Sequence, residues 1–382
     1  FLLTTAGTLF FAGCTLHAAW AGLGTVCSYA SSTRFYSPSY IINEIPSYSF
    51  TVGDLHAHLL ALPFFLLNLV LLYGLAGKTK PARGLLAALG LGLDTSGMLN
   101  VWDMVTLISV LCVLLLAKII LIWRTHSPKP ERLKLVRYWL LGGFATLVLA
   151  GILMWPNLIH FQSPVLGLGF IPGFVAAHHL THVQWPTPLT AQLGMWCILA
   201  GGIIWGFWAK RRTLADYLHP LVLSIVSLGI IVGVELFFIE DIYSVANPPY
   251  FRANTTFKFG YHAWTMLVLV FTILLFHLLR RASGRKSRTR PIAAFVLLIA
   301  LVGGLFYPYQ AIKQFYLADS AQAKTLDGSS WMQAQMPDDW MTINYINQTL
   351  TDRAVIAEAV GDSYTTYSRI ATYTGMITPM GW

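Results

Sequence analysis

Nine runs of mostly apolar residues, at about 5–27, 55–76, 84–94, 102–123, 135–155, 189–208, 218–239, 261–279 and 291–311, leave this chain few folds to choose from. A helix needs roughly 20 such residues to cross the hydrocarbon core of a bilayer. Inside lipid, only helices and closed barrels satisfy their own backbone polar groups. All but the third run approach that length. Gly84 to Asp94 is short enough to be a half-helix or re-entrant segment. Charged residues make up 11% of the chain, against about 25% in soluble domains. The expected fold is therefore an all-α polytopic membrane protein of about nine spans, carried by residues 1–311.

Basic residues orient the spans. Of the 25 Lys and Arg residues, 17 fall in every second loop: Lys78 to Arg83, Arg124 to Arg137, Lys210 to Arg212 and Arg280 to Arg290. The positive-inside rule makes these loops cytoplasmic, and Lys118 is close enough to the same face to snorkel to it. The net charge of +9 thus reports membrane orientation and gives no reason to expect a nucleic-acid partner. Of the 16 Asp and Glu residues, 14 fall on the opposite side. Acids contribute little to topology, so their concentration there asks for another explanation, and an extracytoplasmic site is the simplest. The expected location is the plasma or inner membrane, with the motif-bearing loops and the C-terminus outside.

From Lys313 onward the sequence turns polar. Ala311–Lys324, Pro337–Leu350 and Tyr364–Thr374 read as helices and Ala354–Val360 as a buried strand, the beginning of a small extracytoplasmic α/β domain over 312–382. The chain starts at Phe1 and stops at Trp382, which reads as a piece of a longer protein. Cys14, Cys27, Cys112 and Cys197 match no disulfide framework or zinc spacing and are expected to be packing residues.

Ionisable residues beside a lipid-buried span are costly and mark functional sites by default. The segment Ile41 to His58 holds Glu44, Asp54, His56 and His58. On a helix, Asp54 and His58 share a face; in an extended chain, Asp54, His56 and His58 alternate. Either arrangement suits a general base, or a divalent ion such as Mg or Mn held by Asp54, His56 and His58 with Glu44. Asp54 is also expected to cap the second span. Asn100, Trp102 and Asp103 stand at the start of the fourth span, where Asp103 is a second carboxylate candidate or a helix cap. Glu235, Asp241, Arg252, Asn254 and Lys258 bracket the loop between the seventh and eighth spans. Arg252 and Lys258 suit a phosphate oxyanion, or an internal network with the neighbouring acids. His178 and His182 have helical ligand spacing but lack a third ligand in the sequence.

Several strings carry a family resemblance. Asn43-Glu44 with Pro46 and Phe50, Gly53-Asp54-Leu55-His56, and His58 through Phe64 resemble the very hydrophobic "YYY" membrane-protein family of Chloroflexi and archaea. So do Asn100-Val-Trp102-Asp103, Arg252 through Phe259, Glu358 through Tyr364, Ser368-Arg369 and Gly381-Trp382. Ile45 and Ser47-Tyr48 replace the phenylalanines favoured there, and Ala57 replaces a proline. The family continues past Gly-Trp into a His-Glu pair and an Arg that this chain does not reach. Its layout is similar to the GT-C membrane glycosyltransferases. That likeness implies a polyprenyl-phosphate sugar donor, a catalytic acid in the first outer loop at Asp54, and a C-terminal domain contributing Arg369 to substrate binding. The acceptor would be an extracytoplasmic glycan, lipid or protein.

The expected function is accordingly a membrane glycosyltransferase. Asp54 would act as general base beside His56 and His58, and Arg252 and Lys258 would hold the donor phosphate. A transporter or flippase for an anionic or lipid-linked substrate is the alternative from another class, and a structural membrane subunit is a third. A transporter would favour midplane charges and internal repeats, and the sequence shows neither.

Overall fold

A computed structural model describes residues 9–22, 27–33, 41–162, 165–180, 201, 217–246, 248–282, 290–316, 327–350, 352, 354–361 and 365–379. Contacts divide the chain into two units, Phe1–Tyr316 and Leu317–Trp382. The first unit is built from helices α1 (Leu9–Trp20), α2 (Pro46–Val52), α3 (Ala57–Leu60), α4 (Leu62–Ala76), α5 (Arg83–Leu99), α6 (Val101–Trp123) and α7 (Lys129–Leu158). Strand β1 (Gly167–Phe170) and α8 (Ile171–Ala177) follow, then α9 (Leu218–Leu236), β2 (Phe237–Glu240), α10 (Ile242–Ala246), α11 (Ala253–Ala282) and α12 (Arg290–Tyr316).

Among the described residues, five stretches are long and apolar enough to cross a membrane: Ala57–Ala76, Val101–Trp123, Lys129–Leu158, Leu218–Leu236 and Ala253–His277. They coincide with five of the nine expected runs. The third run is longer than its apolar stretch suggested, because α5 continues through Thr95, Ser96 and Met98 to Leu99. The sixth run, 189–208, lies outside the described residues. Helix α12 carries the ninth run on to Tyr316, so no separate helix begins at Ala311.

The bundle packs α5 along α7 and α9 along α11, with α6 against both pairs. Its core joins Leu69 and Leu72 of α4, Leu89 and Leu93 of α5, Leu107 and Leu111 of α6, Trp139 of α7, Leu223 of α9 and Met266 of α11. A second core sets Trp264 and Phe271 of α11 against Tyr307 and Ala311 of α12 and Ile45 before α2. Large side chains on the opposite faces, such as Val70, Leu116, Phe144 and Ile152, are exposed. Soluble monomers rarely expose contiguous apolar surface on this scale, and in a bilayer these faces meet lipid.

Polar groups inside the bundle find partners on neighbouring helices. Lys118 is buried in α6, and its ammonium donates to the Ala76 and Lys78 carbonyls at 2.5 and 2.8 Å. A cation thus closes the C-terminal end of α4, where the helix dipole favours it. Asn68 of α4 donates to the Gly92 carbonyl at 3.0 Å and to the Ser96 hydroxyl at 3.1 Å, both on α5. A Cβ on Gly92 would overlap the Asn68 amide. Gly92→Ala is expected to push α4 off α5 and lower stability by about 1–3 kcal/mol, read as a lower unfolding midpoint in detergent. The double variant Asn68→Ala/Gly92→Ala should lose less than the sum of the single variants, because the two residues share one contact.

Three features depart from what was expected: an all-α membrane unit, no disulfide, and an α/β unit over 312–382. First, β1 and β2 pair antiparallel, Gly167 opposite Glu240 and Phe170 opposite Phe237. Phe237-Phe-Ile continues the apolar run of α9, and a short apolar stretch does not distinguish helix from strand by periodicity. Second, Cys14 and Cys27 are joined by a disulfide. Third, the second unit has helices α13 (Ser330–Gln335), α14 (Pro337–Thr349) and α15 (Arg369–Thr374). Its expected buried strand is reduced to a parallel bridge, Val355 to Ile377, with Val355 67% exposed. Among the described residues of this unit no sheet covers that segment.

Candidate functional site

Gly53 closes α2 in the left-handed region, at φ 64° and ψ 37°, a conformation that side chains with a Cβ adopt reluctantly. The reversal lets the Asp54 N–H donate to the Ser49 carbonyl at 2.9 Å and turns the chain toward the spanning helix. Asp54 does not cap that helix: His56 occupies the cap position of α3, without a side-chain cap bond. Instead Asp54 Oδ1 accepts the His56 N–H at 3.1 Å and contacts His56 Nδ1. Asp54 Oδ2 lies 3.4 Å from His58 Nε2.

His58 links this loop to α11. The Lys258 ammonium is 3.1 Å from His58 Nδ1. An ammonium has only donors to offer, so Nδ1 accepts and the Nε2 hydrogen faces Asp54 and the Ser49 hydroxyl, 3.5 Å away. Phe257 and Tyr261, one turn apart on α11, hold the imidazole edge-on at 4.7 and 5.1 Å. Glu44 completes the group: one oxygen each from Glu44 and Asp54 and one ring nitrogen of His58 lie within 4.8 Å of one another. Burial alone would raise the Asp54 carboxyl. Hydrogen bonds from the His56 ring and backbone, with the nearby imidazoles, more than offset it and hold the group below its ordinary value of 3.8.

A second acid–imidazole pair lies one turn further along α11. His262 Nε2 is 2.7 Å from Asp103 Oδ1, and the Thr106 hydroxyl lies in hydrogen-bond contact with His262 Nδ1 at 2.8 Å. The Asn100 amide donates to Asp103 at 2.6 Å, and Phe65 stacks on the imidazole at 4.9 Å. Both members are buried, with side chains 5% and 3% exposed. The Lys258 ammonium interacts electrostatically with Glu44, Asp54 and Asp103 together, which ties the two groups into one polar cluster. Trp102 flanks it, edge-on to Phe259 at 5.3 Å.

Other candidate residues form separate arrangements. The Arg252 guanidinium donates to Glu235 at 3.2 Å and is 1% exposed. The Asn254 amide donates to Asp241 at 2.8 Å. These are two internal pairs of the kind expected as the alternative, and Arg252 does not present an open cation beside Lys258. His56 is half exposed and bound through Nδ1 to Asp54, so the carboxylate–imidazole set able to hold an ion contains Glu44 in its place. His178 stacks on Phe174 at 4.0 Å and bonds its carbonyl at 3.0 Å, whereas His182 lies outside the described residues. Within the second unit, Arg369 reaches Asp339 through two nitrogens at 2.7 and 2.8 Å, and Glu358 accepts the Ile370 and Ala371 N–H groups that open α15.

Sequence reasoning missed His262, Ser49 and Tyr261. His262 had a signal: it is an ionisable residue inside an apolar span, one helical turn from Lys258, and such residues rarely stand alone.

Residues 3–185 and 173–267 match the uncharacterized membrane protein family DUF2298. The chain belongs to this family. It is a membrane protein by family as well as by its apolar helices. No curated protein and no solved structure matches it. The polar cluster falls within the span covered by the DUF2298 match, whereas Arg369 lies beyond it.

Proposed function

We propose that this DUF2298 protein is an integral-membrane glycosyltransferase that moves a sugar from a polyprenyl-phosphate donor to an extracytoplasmic acceptor. The observation that carries the reading is the Asp54 carboxylate held between two imidazoles, with the Lys258 ammonium on the far side of His58. In this mechanism the acceptor hydroxyl oxygen attacks the anomeric carbon as the carbon–oxygen bond to the donor phosphate breaks. The hydroxyl proton passes to Asp54, and Lys258 stabilises the negative charge gathering on the departing polyprenyl phosphate. Arg252, committed to Glu235, keeps the loop before α11 in shape.

Two further features support the reading. An apolar groove of about 540 Å³ along α6, α9 and α11 is lined by Val105, Ser109, Ile225, Thr255 and Phe259, next to Lys258 in the sequence, and suits a prenyl chain. The Cys14–Cys27 disulfide is at the same end as Asp54. There Gln314 of α12 bonds to Cys27 and Tyr29, Tyr29 stacks on Tyr48 of α2, and Tyr316 donates to Thr51 just before Gly53. Disulfides persist in oxidising compartments, which agrees with the placement outside the cytoplasm given by the basic loops. A Mg²⁺ or Mn²⁺ ion would be held chiefly by the carboxylates of Glu44 and Asp54, the oxygen donors these ions prefer, with His58 Nε2 joining only after giving up the hydrogen it turns toward Asp54, and would share charge stabilisation with Lys258.

The test is direct. Purified protein is incubated with a panel of polyprenyl-phosphate sugars and candidate acceptors, with and without a chelator. Consumption of one donor with release of polyprenyl phosphate supports the assignment. Transbilayer movement of a lipid-linked sugar in proteoliposomes, without its consumption, would replace it with the flippase reading.

A further inference from the structure

At the other end of the bundle the helices form a second groove that the proposed reaction does not use. From Lys258 to His277, α11 runs 19 residues, a rise of about 30 Å. The groove there is about 660 Å³, between α4, α11 and the first turn of α9. Leu269, Ile273 and Phe276 make its apolar wall, and Tyr73, His219 and Arg280 bring polar groups to it. His219 is the informative member. It is 6% exposed, lines the groove, and packs edge-on to Tyr73 at 5.1 Å. One ring nitrogen makes a weak contact with the Leu69 backbone, and the other has no hydrogen-bond partner among the described residues. Buried polar groups without partners are rare in folded proteins and call for a ligand or water.

The chemistry of the groove selects its occupant. Its wall is hydrocarbon and belongs to helices that cross the bilayer, so an acyl chain fits it. Arg280, over Phe276 at 5.6 Å, puts a cation on its lining, and exposed Lys78, Lys80 and Arg83 follow the C-terminus of α4, whose Tyr73 lines the groove. We infer that this groove seats an anionic phospholipid, with an acyl chain along Leu269 and Phe276 and the head-group phosphate within reach of His219 and Arg280. Basic residues gathered where spans meet the interface favour acidic lipids over zwitterionic ones. The inference needs only that the chain spans a membrane and is independent of the proposed reaction.

Native mass spectrometry of the purified protein, exchanged into equal amounts of phosphatidylglycerol and phosphatidylcholine, tests it. Wild type is expected to retain phosphatidylglycerol over phosphatidylcholine by about fivefold or more. His219→Phe/Arg280→Gln should bring that ratio near one with an unchanged unfolding midpoint, and His219→Gln, which keeps a hydrogen-bonding head, should retain part of the preference. Equal retention of the two lipids by wild type overturns the inference, whatever the variants do. So does a full preference in the double variant, or binding of inorganic phosphate with no retained lipid.

Discussion

Asp54→Asn is expected to reduce sugar transfer by about 10²–10⁴-fold, the range typical for loss of a positioned general base. The amide is nearly the same size, and its carbonyl oxygen still accepts the His56 N–H that Oδ1 accepts at 3.1 Å. Insertion should therefore change little and stability near neutral pH should fall only by the small share that the ionised carboxylate contributes, while the main loss should appear in kcat rather than in donor KM. His56→Gln removes only the orienting imidazole and should cost far less. The pH profile carries the same assignment. Hydrogen bonds from His56 hold the Asp54 carboxyl below 3.8 against the effect of burial, so the base remains ionised through neutral and mildly acidic pH. Its acid limb should fall below about 4. A carboxyl with a depressed value stabilises the fold above its unfolded value, and that contribution is lost as pH falls through the folded one. Loop stability and activity should thus fail together in acid, and in Asp54→Asn the acid limb of stability should be flattened. Full transfer activity in Asp54→Asn would remove this carboxylate from the reaction.

The sequence marked this cluster because ionisable side chains stand out against apolar runs. Glu44, Asp54, His58 and Lys258 could be named from their places beside the apolar runs. Which of them would meet could not. Arg252 and Lys258 sit six residues apart in one polar string, yet one is locked against Glu235 and the other reaches His58 across the bundle. Their difference is tertiary: it depends on the approach of α9 and of the loop ending at Gly53. His262 carried a signal, an ionisable group in an apolar span, but its partner Asp103 lies 159 residues away in the chain. Strand β2 was hidden because Phe237-Phe-Ile prolongs the apolar character of α9. The Cys14–Cys27 bridge has a sequence separation of only 13, and the spacing of the four cysteines suggested no framework. The spans fared better: length and hydropathy act locally, and five of the runs are helices with the expected character.

Asp103→Ala is expected to destabilise the protein by about 3–5 kcal/mol, the usual consequence of removing one partner from a buried charged or hydrogen-bonded pair. The substitution strands the His262 ring nitrogen now 2.7 Å from Asp103 and the Asn100 amide 2.6 Å from it, in a place too enclosed for bulk water to replace the carboxylate. The double variant Asp103→Ala/His262→Phe should recover much of the loss, because a phenyl ring keeps the stack on Phe65 and asks for no acceptor. That recovery, read from unfolding midpoints in detergent, measures the coupling between the two side chains. The consequence extends to chemistry. Asp103 is one of three carboxylates acting on the Lys258 ammonium, and His262 stands one turn from Lys258 on the same helix. Asp103→Ala/His262→Phe should therefore remain folded yet transfer sugar more slowly, since Lys258 keeps its position but loses one of the three carboxylates that act on its ammonium. A double variant with wild-type stability and wild-type turnover would make the Asp103–His262 pair incidental to both.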